Sequence, residues 1–260
     1  MTDDAPAHAE PCPRCGKTAP LCVCAVLAPV DNRIALLILQ HPQEQDVDLG
    51  TARLTALALK NAVLKVGLSW ANLAKALGRP ADAKRWAVLY LGSAGAAHQR
   101  PPHPTAGKAR ADRTRQPFVS LSPHQDGGRG QGEGGPAATF DATVTFVDKK
   151  GNALADQAAA MRDLDGLIVL DGSWSQAKAL WWRNAWLLKC RRIVLNPPRP
   201  SRYGTLRKEP RREGLATIEA AALALARLER RPELENALMA TFDKLLAAYR
   251  AHAGSRPGRV

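Results

Sequence analysis

The feature that most limits what this chain can fold into is a set of short, almost unbroken apolar runs set between helix-like stretches. Residues 33–40 read RIALLILQ, 86–91 read WAVLYL, 166–170 read GLIVL and 192–196 read RIVLN. A strand with one wet face alternates apolar and polar residues, whereas a strand covered on both faces has no reason to. Runs of this length and type, separated by helical patterns, predict an α/β fold with a mostly parallel sheet and helices on both faces. Residues 142–147 alternate threonine with apolar residues and predict one more strand. Helices are expected over 50–66, 153–161, from an N-cap at Ser173 to about 188, and over 216–228 and 234–251. In the third of these, Trp174, Ala177, Trp181 and Leu188 fall on one side.

Composition then divides the chain. Residues 1–10 are acidic with no apolar h-region, so a disordered leader is expected there and a secretory signal is not. Residues 11–28 carry a cysteine cluster, and 29–252 form the α/β domain. Residues 96–136 are rich in Pro, Gly, His, Arg and Gln, including GGRGQGEGG. Too little apolar area is available there to offset the entropy of ordering, so the stretch reads as a low-complexity insertion, with a short strand at 118–121. The tail is 253–260. No apolar run is long enough to span a bilayer, which makes the cytosol the expected location and a membrane an unexpected partner.

Four of the five cysteines, Cys12, Cys15, Cys22 and Cys24, sit within thirteen residues as C-x2-C-x6-C-x-C. Four thiolates complete the tetrahedral shell that structural zinc prefers, and Gly16 permits the tight turn after Cys15. A four-cysteine zinc knuckle is the expectation. Such a shell leaves no open position, so the metal is read as structural. His98, His103 and His124 are spaced too irregularly in the insertion to be read as ligands. Cys190 reads as a small buried hydrophobe.

In parallel sheets, ligands sit beyond the carboxyl ends of strands. The ends to inspect are Gln40-His41, Gly92-Ser93, Asp171-Gly172-Ser173 and Asn196-Pro197. Asp171 ends the GLIVL run just before a helix N-terminus, where backbone amides favour an anionic group and the carboxylate can hold an ammonium or act as a base. Beyond Asn196 lies NPPRPSRYGTLRKEPRR, in which six basic residues flank one tyrosine. Arg199, Arg202, Arg207, Lys208 and Arg211 suit phosphates, and Tyr203 suits stacking on a base. The formal charge of +13, from 37 Lys and Arg against 24 Asp and Glu, points the same way, toward nucleic acid.

In order along the chain come C-x2-C…C-x-C, then HPxE from His41 to Glu44, then DGSW from Asp171 to Trp174, then SRYGTLRKEPRREGLATIEA from Ser201 to Ala220. This order resembles the DTW-domain proteins, which look like tRNA-uridine aminocarboxypropyltransferases. Asp171, Gly172, Ser173 and Trp174 take the places of the family's D-x-T-W motif, with Ser173 keeping the hydroxyl of the usual Thr. The resemblance implies S-adenosylmethionine as co-substrate, contacted by Gly92, Ser93, Asp171, Gly172, Ser173, Trp174 and Asn196, with Asp171 as base. It adds His41, Glu44, Thr217 and Glu219 as motif residues, and tRNA as the partner, with no obligate protein partner evident. Kinship with SPOUT-like enzymes implies a knot. Two other readings stand beside it: a SPOUT-type RNA methyltransferase, and a noncatalytic zinc-ribbon RNA-binding protein.

Overall fold

The computed structural model of the chain describes residues 10–91, 143–206 and 214–254. Gly92, Ser93, Arg207, Lys208 and Arg211, the leader through residue 9, the insertion and the strand expected at 118–121 lie outside the described residues.

Among the described residues six strands form one sheet: β1 Ala35–Gln40, β2 Ala62–Val66, β3 Trp86–Leu91, β4 Val144–Val147, β5 Gly166–Asp171 and β6 Arg191–Leu195. Their spatial order is β2-β1-β5-β3-β6-β4. All neighbours are parallel except β4, which runs antiparallel to β6 at the edge. All six side chains of β1 are buried. Ile34, Leu36 and Ile38 enter one core cluster, while Ala35, Leu37 and Leu39 enter a second on the opposite face. Leu167 and Val169 of β5 point into the first, and Ile168 into the second. This is why the strands read as continuous apolar runs.

The first face is covered by α1 Ala52–Leu57, α5 Thr217–Glu229 and α6 Pro232–Gly254. Leu234, Leu238, Phe242 and Leu245 of α6 repeat at the helical interval and are all fully buried. The second face is covered by α2 Leu73–Leu77 and by Trp186, Leu187 and Cys190 after α4 Trp174–Arg183. A last short helix, α3 Gln157–Arg162, precedes β5. The cysteine segment shares the first core, since Cys15, Leu21, Val23 and Leu27 are buried within it.

Two expected elements differ. The helix expected over 50–66 stops after α1, and the remainder becomes β2. Tertiary pairing overrides local propensity here. The Asn32 side chain accepts from Asn61 N at 2.9 Å and donates to Asn61 O at 3.0 Å, holding the backbone extended where β2 begins. The helix expected to run to 188 ends at Arg183, and a 3-10 turn over Ala185–Lys189 follows. Asn184, fully buried, causes the break. It donates to Leu68 O and Leu180 O and accepts from Trp70 N. The buried side of this segment therefore runs through Leu180, Trp186 and Leu187, and Trp174 and Leu188 stay exposed. Cys190 is buried, as expected, and burial pushes its thiol up to about 12.

Gly166 opens β5 against the indole of Trp86, and an added β-carbon would lie 2.4 Å from that ring. Gly166→Ala is expected to lower stability by about 1–3 kcal/mol through overpacking. Chemical denaturation checks this, and Trp86→Leu should relieve it in the double variant.

Candidate functional site

The carboxyl edge of the sheet collects the polar residues. Gln40 and Asp171 are register partners at the ends of β1 and β5. Gln40 Nε2 donates to Asp171 Oδ2 at 2.9 Å, and Thr217 Oγ1, at the first position of α5, donates to Asp171 Oδ1. The carboxylate is therefore fixed by two donors from elements far apart in sequence. A carboxylate offers about four lone-pair directions, so each oxygen keeps one free for a further partner. Asp171 itself is half-buried.

Gly172 follows with φ +157°, and a β-carbon there would approach that of Gln176 to 2.8 Å. The close approach lets Gln176 reach back: its Oε1 accepts from Ser173 N at 2.6 Å, and its Nε2 donates to Gln43 Oε1 at 3.1 Å. Ser173 stands at the N-cap of α4 as the sequence predicts, with its hydroxyl 3.1 Å from Ser175 Oγ. The 3-10 turn Pro42–Glu44 carries the HPxE residues and starts at His41, whose Nδ1 accepts from Gln43 N. His41 N donates to Asp171 O at 3.0 Å, which places this turn beside the DGSW segment.

Three other parts of the chain grip residues 47–51 nearby. Lys17, from the cysteine segment, donates Nζ to Val47 O at 2.6 Å. Tyr203 Oη donates to Leu49 O at 2.6 Å. Ile218 N donates to Thr51 Oγ1 at 3.2 Å. Lys17 is buried, and that burial lowers its ammonium pKa, opposed by the negative charges of Asp48, Cys15 and Asp171.

The part of the basic loop within the described residues, through residue 206, is anchored. Glu219, buried, accepts from Ser201 Oγ at 2.5 Å, Arg202 N at 2.8 Å and Ala216 N at 2.8 Å. It is a clamp between this loop and α5. Tyr203 is 2% exposed and meets Phe242 edge-on, with centroids 5.1 Å apart. Its expected role as a stacking platform is corrected: with the ring enclosed, it holds the loop down. Arg202 is exposed and pairs with Asp243 at 2.5 Å, and Arg199 is exposed. Asn196 directly follows β6 at the same edge, with its N–H on Thr143 O.

Lys17 is absent from the residues expected at the site, and Gln40 is expected there only as a strand end to inspect. Gln40 alone carries a readable signal, as a polar residue closing an otherwise apolar strand. A cleft of about 380 Å³ lined by Arg33, Asn61, Arg79 and Asp165 lies at the opposite, amino end of the strands. The carboxyl edge is the better candidate, because backbone amides of strand–helix turns converge there.

The four cysteine sulfurs lie within 4.8 Å of one another. Cys12 and Cys24 Sγ are 3.9 Å apart, and Cys15 and Cys22 Sγ 3.7 Å. Four thiolates at about 2.3 Å from a shared ion stand about 3.8 Å apart in a tetrahedron, so the group can hold a metal ion. Gly16 takes φ +70°, as the tight turn requires. Backbone amides of Cys15 and Arg14 lower the Cys12 thiol to about 6, while burial raises Cys15 and pushes Cys24 up to about 12. Crowded sulfurs resist shared ionisation until a cation joins them.

Fold and site define an α/β protein with a fixed carboxylate at a parallel-sheet edge and a four-cysteine cluster docked beside it. The DTW domain family model matches residues 9–250, and the chain belongs to that family. Among curated proteins it is similar to tRNA-uridine aminocarboxypropyltransferase 2 of Macaca fascicularis, 30% identical over 33% of this chain and 28% of that protein. The Drosophila melanogaster protein of the same name is 40% identical over 28% of this chain and 29% of its own length. The Mus musculus one is 30% identical over 33% and 28%. The matched segments thus span under a third of these relatives. No solved structure matches. Among the described residues no helix is long and apolar enough to cross a membrane.

Proposed function

We propose that this protein transfers the 3-amino-3-carboxypropyl group of S-adenosylmethionine to N3 of a uridine in tRNA, in the cytosol. The observation that carries the reading is the convergence of Gln40, Asp171 and Thr217 at one strand edge, within a chain of the DTW-domain family. Its similarity to proteins named for this reaction supports the chemistry. Kinship with SPOUT-like enzymes, and the knot it implies, belong to the same proposal.

A sulfonium activates all three carbons attached to it. The reaction requires the γ-methylene of the amino-acid arm to face the nucleophile. Uridine N3 carries a proton, which Asp171 accepts directly or through one water. The N3–carbon bond forms as the carbon–sulfur bond breaks, and the electron pair of that bond leaves with sulfur as neutral methylthioadenosine. Alignment of nitrogen, carbon and sulfur supplies much of the acceleration. The backbone of the Gly172-Ser173-Trp174 turn, together with Gly92-Ser93 and Asn196, holds the co-substrate. Because N3 is on the pairing edge, the uridine is unpaired or drawn out of its stack. Arg199, Arg202, Arg207, Lys208 and Arg211 hold the phosphates around it. Cys12, Cys15, Cys22 and Cys24 hold a structural zinc, whose charge lets all four thiols ionise.

The by-product tests this reading. Incubation with tRNA and S-adenosylmethionine is expected to release methylthioadenosine. S-adenosylhomocysteine would instead make the protein a methyltransferase, and calorimetry with no co-substrate binding would make it a noncatalytic RNA binder.

A further inference from the structure

We infer that the outer face of α4 is a stacking surface for unpaired bases of the RNA, continuous with the Asp171 site. The inference rests on the reading that RNA is the substrate. Trp174, Lys178 and Trp182 are all exposed, at intervals of four residues along the ten-residue helix. Trp174 is 43% exposed and Trp182 45%. At 100° per residue the three span an arc of about 80°, so they share one face. At 1.5 Å per residue the indoles stand about 12 Å apart along the axis, with the lysine between them.

Large aromatic rings on a helix are normally turned inward, as Trp186 is just beyond this helix. Two exposed on one face mark a surface that receives something. Its chemistry selects the guest. α4 carries Lys178 and Arg183 and no acid, and the whole chain is strongly basic. A ring–cation–ring row offers base stacking on either side of a phosphate contact, as single-stranded nucleic acid requires. A protein interface centre, by contrast, is depleted in lysine. The face begins at Trp174, next to Ser173, so RNA leading a uridine to Asp171 passes over it.

The test uses the full chain, with bulk tRNA and a short single-stranded oligouridylate as probes. Trp182→Ala is expected to weaken both by about 5- to 150-fold, the range for loss of one stacked base. The KM for tRNA should rise while kcat and S-adenosylmethionine affinity stay at wild-type values. Trp182→Phe, which keeps a ring, should recover most of the affinity, and Lys178→Ala should lower the salt dependence of binding by about one phosphate contact. Unchanged RNA affinity in Trp182→Ala overturns the inference. So does a loss of self-association by sedimentation at unchanged RNA affinity, which would make the face a contact between copies. If the wild type modifies no RNA, the functional reading fails on its own, and the affinities still score the face.

Discussion

Asp171→Asn is expected to lower kcat on tRNA by about 10²- to 10⁴-fold, the usual contribution of a positioned general base. The substitution is nearly isosteric, so the effect reports chemistry rather than packing. Thr217 Oγ1 can still donate to the amide oxygen. The new amide nitrogen faces Gln40 Nε2, but rotation of the Gln40 amide turns its oxygen toward that donor. Thermal melts should therefore move little while turnover falls. Affinity for S-adenosylmethionine, measured by calorimetry, should fall far less than kcat. Turnover equal to wild type would remove Asp171 as the base and leave it a structural link between β5, β1 and α5.

Loss of metal is expected to be the largest structural perturbation. Cys15→Ser removes a buried ligand from a segment whose Leu21, Val23 and Leu27 fill the main core. Apparent binding energies for structural zinc in small peptides run to about 10–16 kcal/mol, so much of the stability of this segment is at stake. Purified protein should carry one zinc per chain by elemental analysis. Chelation or Cys15→Ser should lower the melting temperature sharply. The effect should reach the site as well, because Lys17 holds Val47 O in the stretch leading to Thr51. Protons compete for the sulfurs, so zinc affinity should fall as pH drops, because binding must displace the protons that burial holds on the Cys15 and Cys24 thiols. Metal-free protein with unchanged melting after chelation would refute the knuckle.

Much of this architecture was written in periodicity. The four strands read as apolar runs are buried on both faces or nearly so, and that burial is what their composition encodes. β2 was hidden, because AVLKV after a helical stretch carries no strand signal until Asn32 and β1 pair with it. The end of α4 was hidden for a related reason. Asn184 breaks the helix through partners at residues 68 and 70, which no local window contains. At the site, Asp171 and Thr217 were legible through motif order, and the cysteines through spacing. Tyr203 misled because an aromatic among arginines suggests stacking, while its burial depends on Phe242 and Leu49, distant in sequence. Lys17 was illegible because only docking against Val47 buries it.

S-adenosylmethionine labelled either in the amino-acid arm or in the methyl group separates arm transfer from methyl transfer. After incubation with the full chain, tRNA is digested and its nucleosides are separated and weighed. Arm label should appear in a heavier uridine, and methyl label should remain with the small-molecule by-product. Methyl label in the nucleoside, or no label from either source, would contradict the account.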